Sequence, residues 1–316
     1  MMLGLKQMGA DVYELDTDRH PDAIDPGDRP LDGGTGGPIW LRWDALRPII
    51  ESFRPHVIVC NAGGLSFLPP DSERLRKVST LIGIALSDPD VFPATTSKIS
   101  KYFDLFLTTS VECLPRYAEA GVNARLLLPA TNPDFFHTES PRPEYDCDVV
   151  IFGHAHADRV EPVRAIDERF RLHLYGEEWE KYGLRSRGEL YGEDLLSALA
   201  SACMTVIFNR TKAGHTLVKP GIFDFLAAGA LVLTNHFPEI ESCLSYERDI
   251  VGFRSTEDLL NKVSHYVRNP IEAQNIRASG QARVLREHTW QQRWKHILKE
   301  VLKPIPGMSF EQNGEG

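Results

Sequence analysis

Apolar runs of four to six residues recur along this chain, and a helical stretch separates each from the next; this alternation limits the fold more than any other feature. Short buried strands spaced by helices form parallel sheets covered on both faces, because parallel neighbours need a crossover that a helix supplies. Across residues 1–140 the pattern predicts a helix at 2–9, strands at 11–15, 56–60, 80–86, 105–108 and 125–128, and helices at 43–53 and 111–120. Across 141–303 it predicts strands at 148–152, 171–175, 204–208, 230–234 and 249–253. Helices are expected there at 159–168, 194–202, 221–228, 256–268, 270–287 and 290–302. Residues 16–38 carry many Asp, Pro and Gly and read as a loop, 137–146 as a linker, and 304–316 as a disordered tail. The expectation is an α/β chain of two domains. The first opens directly on a helix, where a buried strand and a glycine-rich turn are expected upstream, so its sheet is expected to lack the first strand.

Composition removes several classes of function. A length of 316 residues suits two ordinary domains, and 42% hydrophobic with 25% charged residues is a globular balance. A formal net charge of −9 argues against a nucleic-acid partner, which needs a basic face. The five cysteines are scattered and never in C-x-x-C spacing, so neither a zinc nor a redox motif follows, and buried thiols in a reducing cytoplasm are expected. No apolar run approaches the ~20 residues of a membrane span.

The segment Lys219-Pro-Gly-Ile-Phe-Asp224-Phe-Leu-Ala-Ala-Gly229 followed by Ala-Leu-Val-Leu-Thr234 reads as a short helix, a glycine stop and a buried strand. A helix N-terminus offers unpaired N–H groups and partial positive charge to a diphosphate. Lys219 stands beside that end, and Asp224, one turn further in, is placed to hold ribose hydroxyls. Together they describe a nucleotide-diphosphate site.

Five segments in the second half resemble the GT-B glycosyltransferases, and within them the CgeB-like (spore-maturation-type) branch. They are Val149-Val-Ile-Phe-Gly153-His154, Leu174-Tyr175-Gly176-Glu-Glu-Trp179, Lys219 to Gly229, Val251-Gly-Phe-Arg-Ser-Thr-Glu-Asp-Leu259, and Arg286-Glu-His288-Thr-Trp290-Gln-Gln-Arg293. In the first half, Leu128-Pro-Ala-Thr-Asn-Pro-Asp-Phe136 is similar to the end of that family's N-terminal domain. The resemblance implies two Rossmann-like domains with parallel sheets, a donor sugar held by the second, and an acceptor held by the first. It implies glycosyl transfer from a nucleotide-diphosphate sugar with retention at the anomeric carbon, no cofactor and no metal. The acceptor (glycan, protein or small molecule) is left open. Many retaining members carry two glutamates eight positions apart; here those positions are Thr216 and Asp224.

On this reading the donor-binding residues are Gly153, His154, Arg159, Tyr175, Gly176, Tyr191, Asn209, His215, Thr216, Lys219 and Asp224. Gly153 lets backbone approach a phosphate, Arg159 reaches the diphosphate, and Tyr175 or Tyr191 offers a ring to the base. Lys219 also acts catalytically, by neutralising the departing diphosphate. Asp88, in Asp88-Pro-Asp90 after strand 80–86, is the other catalytic candidate, holding or deprotonating an acceptor hydroxyl. The Asp-x-Asp spacing and His154-Ala-His156 each also admit a metal reading. Asn61-Ala-Gly63-Gly64 is a candidate acceptor-side turn. Two other functions fit the same chain: a non-catalytic nucleotide- or glycan-binding relative in a surface-coat pathway, and a nucleotide-sugar epimerase.

Overall fold

The computed structural model describes residues 1–16, 19–25, 38–61 and 65–301, in two compact units. One holds Leu128–Gln292; the other holds Gly4–Leu127 and the chain from Arg293 on. The 62–64 part of the candidate acceptor-side turn and the expected tail at 304–316 lie outside the described residues.

In the N-terminal unit, β1 (Ile24–Asp25) and β2 (Ile39–Leu41) are short strands, followed by β3 (Val57–Asn61) and β4 (Leu65–Phe67). Next come β5 (Thr80–Ala85), β6 (Leu105–Thr108) and β7 (Ala124–Leu126). The order β3-β5-β6-β7 is a parallel sheet, with Val59 opposite Ile82 and Ile84 opposite Leu107. A second sheet, β1-β2-β4, is new relative to the sequence reading; β2 pairs antiparallel to β1 and parallel to β4. Its strands fall in or beside the Gly- and Asp-rich stretch, where three-residue pieces leave no period to read. The strand expected at 11–15 is not formed: Asp11–Leu15 is irregular.

The C-terminal unit follows the expected alternation closely. Its strands are β8 (Cys147–Phe152), β9 (Leu172–Tyr175), β10 (Ala202–Ile207), β11 (Val232–Asn235) and β12 (Val251–Phe253). All pair in parallel, in the order β12-β11-β10-β8-β9. Alternate side chains feed two cores. Val149 and Ile151 join Trp179, Leu233 and the 256–268 helix on one face, while Val150 joins Val232, Ile222, Phe223 and Val284 on the other. Burial on both faces is why these strands read as continuous apolar runs.

Local signals set the helix ends. The Ser255 hydroxyl accepts the Asp258 N–H at 3.1 Å, and the Asp258 carboxylate accepts the Arg254 N–H at 2.9 Å, which caps Thr256–Arg268. Pro220 opens Pro220–Ala227, where a missing N–H costs nothing. Gly229, at φ +81°, closes it: its N–H reaches Leu226 O and the Ala230 N–H reaches Phe225 O, the paired bonds of a Schellman stop. The chain then enters β11.

The order of strands matters for function. From β8 the chain runs outward to β9 on one side, then returns across β8 to β10 and continues to β11 and β12. The direction reverses between β8 and β10, and the crevice beyond their carboxyl ends is where sheets of this kind bind ligands.

Candidate functional site

Two turns meet beyond the ends of β8 and β9. Gly153, at φ +122°, donates its N–H to Tyr175 O, and its own carbonyl accepts Trp179 Nε1–H at 2.8 Å. A Cβ at Gly176 would lie 2.2 Å from that carbonyl oxygen, so the approach requires glycine at 176. Trp179 is fully buried and fixes the position of the Gly153 turn from below. The helix Ala157–Asp167 starts just beyond, with His156 as its N-cap residue.

Arg159 links this turn to the segment after β10. Its Nη1 donates to His154 O at 3.2 Å, and Nη2 donates to Phe208 O at 3.4 Å and Arg210 O at 3.3 Å. The guanidinium lies 5.9 Å from the Phe208 ring centre, and burial lowers its pKa. Both terminal nitrogens are thus engaged by carbonyls, Nε is buried without a partner among the described residues, and Arg159 holds the rim of the crevice together. His154 is exposed, with Nδ1 3.7 Å from Glu177.

The segment from Phe208 to Lys219 folds on itself. Arg210 bridges Thr216, the Thr211 N–H reaches His215 O, and the His215 N–H reaches the Thr211 hydroxyl. His215 and Thr216 therefore form one side of a small hairpin that carries Lys212. Lys219, half-buried, is the N-cap residue of Pro220–Ala227.

A cationic group emerges that sequence reasoning captured only in part. His156 has a pKa lowered by burial first, then by the charges of Arg159, Lys212 and Lys219, with Asp158 acting in the opposite direction. Its Nδ1 is buried without a hydrogen-bond partner among the described residues. His156 and Lys212 were not among the expected donor ligands. The His154-Ala-His156 repeat lies on this turn, but the grouping with Lys212 forms only when β8 and β10 pair.

Asp224 lies on Pro220–Ala227. Burial pushes its carboxyl up to about 7, while the Thr131 hydroxyl acts to lower it. That hydroxyl belongs to a fully buried residue and is not aligned for a hydrogen bond with any described partner. Thr131 is fixed by its backbone: its N–H reaches His288 O at 3.0 Å, and its carbonyl accepts the Trp290 N–H at 2.9 Å. His288 itself packs on Phe223 and contacts Cys243 O, so the His288-Thr-Trp290 segment serves packing.

Three expected residues take other roles. Tyr175 is 4% exposed and stacks on Phe152 at 5.4 Å, which places its ring in the core rather than under a base. Asn209 is fully buried; its N–H reaches Asn235 Oδ1 and its side-chain amide donates to the Thr234 hydroxyl, joining the ends of β10 and β11. Tyr191 is 70% exposed, and its hydroxyl donates to Glu189.

Asp88 belongs to the other unit and is fully buried. One oxygen accepts the Thr96 hydroxyl at 2.7 Å; the other accepts Thr108 at 2.8 Å and Tyr117 at 2.7 Å. This geometry makes Asp88 a packing centre of the N-terminal unit, and an acceptor hydroxyl would have to displace one of those three to reach it. No group of three His, Cys, Asp or Glu side chains suited to a metal ion occurs among the described residues.

Comparison with known proteins identifies the architecture. Residues 157–299 match the sequence model of a family described as glycosyl transferase-like. No curated sequence relative matches the chain. Among solved structures, the chain is similar to sucrose-phosphate synthase from Thermosynechococcus elongatus, at 13% identity and TM-score 0.57, over 81% of this chain and 75% of that one. It is similar to Anabaena HepE, solved with UDP and glucose, at 10% identity and TM-score 0.59, over 82% and 81%. It is also similar to a glycosyltransferase from Rickettsia africae, at 11% identity and TM-score 0.58, over 96% and 88%. The fold is that of GT-B transferases, with two Rossmann-like α/β domains, and residues 157–299 are similar to the glycosyl transferase-like family. No helix among the described residues is long and apolar enough to cross a membrane.

Proposed function

We propose that this chain is a glycosyltransferase that takes a nucleotide-diphosphate sugar as donor and passes the glycosyl group to an acceptor hydroxyl. One observation carries this reading. At the crevice between β8 and β10, the charges of Arg159, Lys212 and Lys219 act together on His156, within an otherwise acidic protein. A crevice of this charge at a strand-order reversal suits a diphosphate.

The donor diphosphate sits against the start of Pro220–Ala227, with Lys219 beside it, and against the Gly153 turn. The ribose lies one turn deeper, its hydroxyls donating to Asp224. As the glycosidic bond breaks, negative charge grows on the departing diphosphate. Lys219, Lys212 and the helix N–H groups stabilise it there, where they are already in place. Arg159 does not touch the donor; it keeps the loops on either side of the crevice in register. With protein cations carrying this charge, the reaction needs no divalent metal. The segment resemblance supports a CgeB-like branch and retention at the anomeric carbon, and the scattered thiols suit a reducing cytoplasm.

The test is thermal. UDP should raise the melting temperature with EDTA present, by the mass-action amount of about 2.7 kcal/mol at a hundredfold excess over Kd. Stabilisation that vanishes with EDTA and returns with Mn²⁺ would overturn the metal-free reading. An observation that favours a nucleotide-binding relative without transfer is the sequestration of Asp88, which leaves the acceptor side without its expected carboxylate. Release of free or transferred sugar from a labelled donor separates the two.

A further inference from the structure

We propose that His156 is a proton-coupled contact for the donor diphosphate: its imidazole takes up a proton from solvent as the diphosphate enters the crevice and gives it back when the nucleotide leaves. The proposal rests on the donor reading above and concerns one side chain in that site.

The geometry singles out this histidine. His156 is the N-cap residue of Ala157–Asp167, in extended conformation, but its side chain makes no capping bond. The ring is turned inward, and Nδ1 is buried with no partner among the described residues. A buried polar atom left unpaired costs about 1–3 kcal/mol, and such atoms in a native fold call for a ligand or a function. The Arg159 bonds to Phe208 O and Arg210 O bring the segment after β10 against this turn. The charges of Lys212 and Lys219 on that segment then act on the ring together with that of Arg159, and the Asp158 charge opposes them.

In the empty site a proton on the imidazole would add a cation to three others in a partly dehydrated crevice, so the ring stays neutral. A diphosphate reverses the local sign. Its charge favours the protonated ring, and the ring, held by no capping bond, turns so that an N–H makes a charge-assisted bond to a phosphate oxygen. Binding and proton uptake are thereby linked, and lower pH strengthens donor binding through this residue. Asp224 works in the opposite sense at the ribose, because its hydroxyl partners need the ionised carboxylate. The two contributions separate when the ribose is absent.

The experiment is calorimetric titration of the full chain near neutral pH, in buffers of different ionisation enthalpy, with inorganic diphosphate and with UDP as probes. Wild type is compared with His156→Gln. The ligands' own titration is common to both proteins and cancels in the difference. Wild type should take up about one proton more per inorganic diphosphate than the variant, and bind it several-fold more tightly. An NMR titration of wild type with inorganic diphosphate should move the His156 ring to its protonated shifts; this readout stands even if the variant folds poorly. Binding with equal proton uptake in both proteins, or with a His156 signal that stays neutral, overturns the proposal while leaving the donor reading intact. Absence of any UDP binding overturns both.

Discussion

Asp88 is fully buried and Asp224 half-buried, one in each unit, and burial raises the pKa of both. Their surroundings differ. Both Asp88 oxygens are used: three hydroxyls, from Thr96, Thr108 and Tyr117, donate to them. At Asp224 the Thr131 hydroxyl and the N-terminal ammonium act to lower the pKa, and that hydroxyl has no hydrogen-bond partner among the described residues. A carboxylate surrounded by donors repays its burial within the fold and has nothing left for a substrate. A carboxylate buried without donors is a cost to the fold, which makes sense when a ligand supplies them. The residue type is the same; burial and the hydrogen-bond inventory are what set the two apart.

The largest test removes the satisfied carboxylate. In Asp88→Asn an amide donor faces hydroxyls that need an acceptor, and each one left unpaired costs about 1–3 kcal/mol. A loss of about 5 kcal/mol is expected, comparable to the whole stability of a marginal domain. Chemical denaturation should show the N-terminal unit unfolding early, while UDP binding to the other unit survives. An Asp88→Asn protein of normal stability that has lost only transfer would return Asp88 to the catalytic role expected from its sequence position.

Asp224→Asn should move stability the other way. The native pKa, about 7, lies above the ordinary 3.8, so between these values the folded state holds a proton that the unfolded chain has lost. Stability therefore falls as pH rises through this window, and the cost, on the order of 4 kcal/mol at most, is complete above pH 7. The variant should flatten that slope and melt higher than wild type in mildly alkaline buffer. UDP affinity should fall by about 1.5–3 kcal/mol, the range for a hydrogen bond to a charged group. A variant that melts lower at every pH, with unchanged UDP affinity by calorimetry, would make Asp224 a second scaffold carboxylate.

The same contrast explains how far the sequence could be read. The strands and helices of the C-terminal unit were legible because each has a period, an apolar run or a cap that acts locally: Ser255 with Asp258, Pro220 and Gly229 mark their helix ends without tertiary help. The β1-β2-β4 sheet was not, since two- and three-residue strands are set by their neighbours. At the candidate site, Gly153, Lys219 and Asp224 were singled out by their positions at strand and helix ends. The roles of Tyr175, Asn209 and Arg159 depend on which groups surround them once the sheet closes: Tyr175 stacks in the core, while Asn209 and Arg159 bond protein groups through their donors. For Asp88, the deciding partners stand 8, 20 and 29 residues away, a spacing with no local signature. His156 and Lys212 are likewise joined only by the pairing of β8 with β10.

The smallest test applies one substitution to both regions. Thr108→Val removes a hydroxyl that bonds Asp88, and Thr131→Val removes the unaligned one near Asp224; both threonines are fully buried. Valine has nearly the same shape, so the difference reports the hydroxyl. At Thr108 a hydrogen bond to a buried acceptor is lost, along with the acceptor the hydroxyl offers to the Ser110 N–H, and a cost of about 1–3 kcal/mol is expected. At Thr131 an unpaired buried hydroxyl is replaced by a methyl group, which should be neutral or stabilising by about 1 kcal/mol. The Thr131 hydroxyl also lowers the Asp224 pKa, so its removal should shift the alkaline rise in UDP affinity to higher pH. Melting curves of the two variants in the same buffer, with a pH series of UDP titrations for the second, decide it. Equal destabilisation of both would mean that the Thr131 hydroxyl is bonded as firmly as that of Thr108, and the distinction between a satisfied and an open carboxylate would fail.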